Sequence, residues 1–173
     1  DYKDTLYFID KKTGAALNST FVPPVPPFDN TVMRGSPNFS SDGQYLAAAC
    51  SDGRSLLFDA EGNILWERFV SKPTQVDGAW INASGRDGFV TDYGVVFSTI
   101  NTYNRENWQL PTPVEHPSCN SLFVFTPEGK YRYQFRSAGG NPGDVAESPQ
   151  CGRKIHLHLS GERGQHVQHR ALV

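Results

Sequence analysis

The chain has 173 residues, 16 Lys and Arg against 18 Asp and Glu, 12% aromatic residues, 16 glycines and 12 prolines. That length suits one domain with a sizeable core, and the nearly balanced charge leaves no basic field to gather nucleic acid or an anionic membrane surface. The Gly and Pro content favours many turns joining short strands over helices, and no apolar run reaches the roughly 18 residues of a membrane span.

The first four residues, Asp-Tyr-Lys-Asp, open like a common epitope tag without its acidic continuation and are taken as native. Asp1 to Asp10 lacks the basic and apolar regions of a signal peptide. The chain therefore reads as soluble, with any export signal removed or never present. Thr5 to Asp10 alternates in character, enters the turn Lys11-Lys12-Thr13-Gly14 and leaves through Ala15-Ala16-Leu17: a strand, a turn and the start of another strand. Next comes Phe21-Val22-Pro23-Pro24-Val25-Pro26-Pro27-Phe28. Its four prolines cannot donate to a central ladder, so the segment is expected to run as polyproline II over the surface, as a stiff connector or as a ligand for an aromatic groove.

Ser36 to Phe69 gives four short apolar runs, Pro37 to Phe39, Gln44 to Cys50, Ser55 to Asp59 and Ile64 to Phe69. They are separated by Ser41-Asp42-Gly43, Ser51-Asp52-Gly53 and Ala60-Glu61-Gly62, and Asp-Gly between alternating runs is a strong hairpin signal. The stretch predicts an antiparallel meander of four strands, one blade of a β-propeller. Beyond it, Val76 to Ile81, Gly88 to Thr91 and Gly94 to Ile100 read as strands, with Asp92-Tyr93-Gly94 as a hairpin turn.

Residues 99–120 read as an insertion loop between two strands of the same blade, because Asn101 to Trp108 is polar and Pro111, Pro113 and Pro117 favour extended backbone outside a ladder. Within it, Tyr103, Arg105 and Trp108 are the candidate partner-binding residues, since aromatic and Arg side chains amid Asn are enriched at binding surfaces. Simple packing over the blade is the plainer alternative. Trp66 and Trp80 lie in strand runs and are expected to pack between blades.

The glycine turns line up as a repeat. Phe8-Ile9-Asp10-Lys11-Lys12-Thr13-Gly14 is echoed by Leu57-Phe58-Asp59-Ala60-Glu61-Gly62 and by Val124-Phe125-Thr126-Pro127-Glu128-Gly129. Four residues after each Gly stand Asn18, Trp66 and Tyr133. Spacings of 48 residues (Gly14 to Gly62) and 67 residues (Gly62 to Gly129) fit blades of about 40–50 residues once the insertion is set aside. Blades are thus expected over 1–136. Residues 137–173 form an irregular tail rich in Gly, Pro and Ser and then in His. That composition suggests disorder, a separate extension or sequence foreign to the propeller.

Phe8 to Gly14 and Phe58 to Trp66 resemble the blade signature of quinoprotein-like (pyrroloquinoline-quinone-like) propellers, and Ser36 to Leu46 looks like the strand opening of WD40-type blades. The resemblance covers roughly residues 5 to 135. It implies that an Asp, a turn Gly and a following Trp lock neighbouring blades, although Asn18 and Tyr133 stand in the Trp position of the first and third copies. The family includes quinone-dependent alcohol dehydrogenases as well as outer-membrane assembly factors that only bind proteins. The vicinal Cys-Cys of the dehydrogenases is missing here, and no Asp can be assigned their catalytic role.

The expected function is therefore a non-catalytic propeller module for protein binding or assembly, with no catalytic residue, cofactor or metal assigned. The alternative is a fragment of a quinone-dependent dehydrogenase-like propeller. The expected partner is a protein, or further blades from the same or another chain, because about three blades fall short of the four a closed ring needs.

Other candidate chemistry has plainer readings. His156, His158, His166 and His169 have ligand-type side chains, yet read as a solvated tail. Asp42 and Asp52 read as turn residues and Asp59 as structural. His116 has no identifiable partner in the sequence. Cys50 reads as a core residue, whereas Cys119 and Cys151 lie in loop-like sequence where an oxidising compartment would let them pair. Asn18, Asn38 and Asn82 each open a glycosylation sequon, which leans toward an extracytoplasmic setting, periplasmic or secreted.

Overall fold

The computed structural model describes residues 5–104 and 115–136, and among them every regular element is a strand. These are β1 (Thr5–Ile9), β2 (Ala16–Phe21), β3 (Met33–Phe39), β4 (Tyr45–Cys50), β5 (Arg54–Asp59), β6 (Ile64–Phe69), β7 (Thr74–Val76), β8 (Ala79–Thr91), β9 (Gly94–Asn104), β10 (Ser121–Phe125) and β11 (Tyr131–Arg136). All pair antiparallel with chain neighbours, giving a two-stranded sheet β1-β2, a four-stranded sheet β3-β4-β5-β6 and a five-stranded sheet β7-β8-β9-β10-β11.

The second sheet is the meander expected over 36–69, and it is buried on both faces. Leu46-Ala47-Ala48-Ala49-Cys50 of β4 has no polar position, as befits a strand without a wet side. Leu46, Ala48, Cys50, Leu56 and Phe58 meet Phe8 and Val22 from the first sheet and the segment after it. Ala47, Ala49, Leu57 and Trp66 meet Val95, Phe97, Phe123 and Phe125 of the third. Alternation along a strand thus feeds two separate cores. The three sheets stack face to face in chain order, the arrangement of successive blades in a partial β-propeller.

Four details differ from expectation. The strand expected over 88–91 is the end of β8, which runs unbroken from Ala79 to Thr91. The run 76–81 is two strands, because Asp77 (φ 49°) and Gly78 (φ 80°) form a two-residue hairpin turn between β7 and β8. Positive φ at both central residues is the type I′ pattern, and Asp-Gly is its usual sequence. Strand β9 continues to Asn104 by pairing Thr102 with Ala83 and Asn104 with Ile81, so regular structure reaches into the polar stretch read as loop. The proline-rich connector is not merely a surface spacer. Val22 and Phe28 are buried, and Arg54 Nη2 donates to the Pro23 carbonyl at 2.7 Å.

The three glycine turns share one hydrogen-bond scheme. Gly14, Gly62 and Gly129 N–H groups donate to the carbonyls of Asp10, Asp59 and Thr126, whose own N–H groups donate to Ala15, Asn63 and Lys130. All three glycines have φ between 71° and 88°, which residues with a Cβ adopt only under strain. A register shift precedes each turn at the same place, between Phe8/Ile9, Leu57/Phe58 and Val124/Phe125. The repeat read from the sequence is therefore a repeat of backbone geometry.

Candidate functional site

The functional geometry follows from how one sheet grips the next. After the register shift, the residue four beyond each turn glycine sits opposite Phe8, Leu57 or Val124: the pairs are Phe8 with Asn18, Leu57 with Trp66 and Val124 with Tyr133. The first two pairs face the following sheet. Trp66 Nε1–H donates to the Pro127 carbonyl at 2.8 Å, and Asn18 Nδ2–H donates to the Glu61 carbonyl at 2.5 Å. Two residues further on, Thr20 Oγ1 donates to the Gly62 carbonyl and Arg68 Nε to the Gly129 carbonyl. The aromatic lock implied by the resemblance thus has a second polar position, six residues after the glycine, which sequence reasoning missed.

Glycine is required at the receiving turn because a ring lies where its side chain would be. A Cβ on Gly129 would stand 2.9 Å from Trp66 Cγ, and one on Gly62 would stand 2.8 Å from Phe8 Cδ2. In the first seam, then, Phe8 supplies the ring that Asn18 lacks. Trp66 itself packs against Phe97 and Phe125 with centroids 5.8 and 5.6 Å away, and the Arg68 guanidinium lies 5.8 Å from its ring centroid.

Several large side chains on the outer faces of the stack remain exposed. On the first sheet, Tyr7 and Ile9 are 52% and 59% exposed, with Phe21 at 58%. Relative to the turns they occupy the positions of Leu56 and Phe58, which are fully buried against a preceding sheet. On the third sheet, Tyr133 and Phe135 are 44% and 50% exposed and form an edge-to-face pair at 5.1 Å. They flank Leu122 and Val124 on the face turned away from the second sheet.

Of the predicted site residues, one falls at the far end of β9. Tyr103 is placed by its backbone opposite Asn82, while Arg105 and Trp108 lie outside the described residues. So do His156, His158, His166, His169 and Cys151. Trp80 is half-buried on β8 opposite Gln75. Where the chain returns to β10, His116 is buried and has the partners the sequence did not reveal. Ser118 N–H donates to its Nδ1 at 3.1 Å, so Nε2 carries the proton and donates to the Lys72 carbonyl at 2.9 Å. Ser71 Oγ lies 3.3 Å from Nδ1 and accepts from Ala83 N–H at 2.6 Å. Burial pushes the His116 pKa below the ordinary value, with the Lys72 bond opposing and the Arg136 charge assisting. This neutral, saturated imidazole ties the segment before β10 to the segment after β6.

Four turn carboxylates are occupied. Asp10 accepts from the N–H groups of Lys12 and Thr13, Asp42 from Ser40 Oγ and Gln44 N–H, and Asp59 from Asn63. Hydrogen bonds to Thr13, Ser40 and Asn63 hold the three below the usual carboxylate range. Asp52 caps its turn by accepting from Arg54 N–H, and also takes the buried Arg54 guanidinium at 2.8 Å. Burial disfavours the Arg54 charge, but Asp52 outweighs it and the group titrates above its ordinary value. Burial drives the Cys50 thiol up to about 12, with Asp52 adding to it. Asn82 is fully buried with its amide donating to the Ser51 carbonyl, so its sequon is packed inside the fold. Among the described residues no group of three or more His, Cys, Asp or Glu is arranged to hold a metal ion, and no helix is long and apolar enough to cross a membrane.

No family model and no curated protein matches the sequence. Among solved structures the chain is similar to BamB from Moraxella catarrhalis, with 15% identity and a TM-score of 0.34 over 79% of this chain and 56% of that one. The chain thus spans little more than half the length of this structural neighbour.

Proposed function

We propose that the chain is a non-catalytic, propeller-type module for protein binding or assembly. The observation that carries this is a set of exposed apolar side chains on the outer faces of the first and third sheets. Tyr7, Ile9 and Phe21 at one end, and Tyr133 and Phe135 at the other, are more than two fifths exposed. Contiguous apolar surface of this kind serves contact between proteins.

We assign a second contact to Tyr103, Arg105 and Trp108, since aromatic and Arg side chains are enriched at binding surfaces. Replacing Trp108 by a photo-crosslinking amino acid tests this in cells of the source organism. A discrete protein adduct at position 108, absent when the probe sits at the exposed Gln44, is expected. Adducts no more frequent at 108 than at 44 would remove this second contact.

A further inference from the structure

Four Asp-Gly pairs stand in the chain, at Asp42-Gly43, Asp52-Gly53, Asp77-Gly78 and Asp87-Gly88. At such a pair a chain can react with itself, because the residue after the Asp has no side chain to shield its backbone nitrogen from the carboxyl carbon. Three of the four are locked. Asp42 accepts from Ser40 Oγ and Gln44 N–H, and the Gly43 N–H is spent on the Ser40 carbonyl. Asp52 is buried against Arg54 at 2.8 Å, and the Gly53 N–H goes to the Cys50 carbonyl. Asp87 lies inside β8, paired with Arg86 at 3.8 Å, and a Cβ on Gly88 would stand 2.9 Å from the Ala47 carbonyl carbon, so the backbone there has no room to turn. Asp77-Gly78 differs at each point. Both residues are exposed, and nothing lies within 4 Å of where a Gly78 Cβ would be. Among the described residues neither the Asp77 carboxylate nor the Gly78 N–H has a partner. The turn closes β7, a strand of 3 residues at the edge of its sheet, so opening it breaks few contacts.

We propose that Asp77-Gly78 is a spontaneous modification site, at which the chain rearranges to isoaspartate and releases β7 from β8. The Gly78 nitrogen adds to the carbon of the Asp77 carboxyl in its acid form. The carboxyl hydroxyl leaves with the nitrogen's proton as water, and a cyclic imide results. Water then adds to the imide carbonyl that belonged to the backbone, the bond from that carbonyl to the Gly78 nitrogen breaks, and the nitrogen regains a proton. The net change is an isomerisation with water as its one co-reactant. It routes the chain through Asp77 Cβ and leaves the α-carboxylate as the side group. The turn needs positive φ at both central residues, 49° and 80°, to set Val76 opposite Ala79, and a link lengthened by one carbon no longer sets that register. Thr74 Oγ1 of β7 lies 3.5 Å from His116 Nε2, so the release also removes a neighbour of that imidazole. Asp42, held below the usual carboxylate range by Ser40, carries less of the acid form from which water can leave.

Ageing the full chain at neutral pH, then mapping it with an endoproteinase that cuts before Asp and not before isoaspartate, tests the proposal. Cleavage before Asp77 is expected to fall with time while cleavage before Asp42, Asp52 and Asp87 holds, because a hydrogen bond or ion pair that must break first slows the step about tenfold or more. In urea the four sites are expected to convert at similar rates, which assigns the difference to the fold. Hydrogen exchange of the converted chain should find the amides of 74–76 unprotected. An aged Asp77→Glu chain, whose longer side chain does not close the small ring, should keep them protected. Conversion at Asp42, Asp52 or Asp87 as fast as at Asp77 in the folded chain overturns the proposal, as does an Asp77 that stays cleavable while the chain in urea converts. Amides of 74–76 as protected in the converted chain as in the parent, or lost equally in aged Asp77→Glu, overturn the release of β7.

Discussion

Trp66 lies on Gly129: its Cγ is 2.9 Å from where a Cβ on that glycine would be, and its Nε1–H reaches the Pro127 carbonyl of the same turn. One residue of the second sheet thereby fills the space that one residue of the third leaves empty, and the hydrogen bond anchors the ring to the turn. The same seat is filled by Phe8 over Gly62.

The glycines should therefore rank by what lies on them. Gly14→Ala meets open space and carries only the backbone cost of a left-handed residue, about 1–2 kcal/mol. Gly62→Ala adds an overlap with the Phe8 ring and should cost about 2–5 kcal/mol. Urea unfolding of the two variants checks this, and equal losses would mean that the rings do not occupy these seats.

Arg54 is a buried cation held by Asp52 and the half-exposed Glu67, and it grips the Pro23 carbonyl. Asp52→Asn should destabilise by about 3–5 kcal/mol, because most of the compensating charge is gone. Adding Arg54→Met to Asp52→Asn should recover part of that loss, since the unpaired cation is then removed too. A double variant less stable than Asp52→Asn alone would show that the Pro23 anchor outweighs the ion pair.

His116 titrates below its ordinary value when folded, so the unfolded chain binds its proton first. Stability from this group is complete above the unfolded pKa of about 6.5 and is lost as pH falls through the lower folded value. Asp10, Asp42, Asp59 and Glu128 are also depressed, and they act in the same direction in a more acid window, below about 4. Urea midpoints across mildly acid pH should fall for the parent and stay flatter for His116→Gln. Parallel slopes would assign the dependence elsewhere.

Cys50 is fully buried with its thiol pushed up to about 12. Iodoacetamide at mildly alkaline pH should leave its peptide unmodified in the folded chain and label it in urea. Labelling without denaturant would contradict the burial of β4 on both faces.

Much of this architecture was legible because its signals are local. The Asp-Gly turns at Asp42-Gly43 and Asp52-Gly53 delimit strands by backbone preference alone, so β3 to β6 fall within a few residues of the expected bounds. The repeat of Gly14, Gly62 and Gly129 was legible for the same reason, since positive φ selects Gly at each turn. What joins elements distant in sequence was not. Asn18, unremarkable beside Trp66, does its job by donating to Glu61, 43 positions away. Thr20 and Arg68 share a role but no chemistry beyond an available proton, so no residue pattern marks them. His116 gains its partners from Ser71 and Lys72, which approach only when β7 pairs with β8. Asp77-Gly78 carried the same turn signal as the others, and was obscured because Val76 and Ala79 make the flanking sequence look continuous.

The central claim is that a presented ring seated on a turn glycine joins each sheet to the next, and a double-mutant cycle between Trp66 and Gly129 tests it most directly. Trp66→Ala alone should cost about 3–5 kcal/mol. Gly129→Ala should cost at least about 1 kcal/mol less in the Trp66→Ala background than in the parent, because the overlapping ring is gone and only the backbone strain remains. If Gly129→Ala costs the same in both backgrounds, the two residues are not in contact and the seam does not exist.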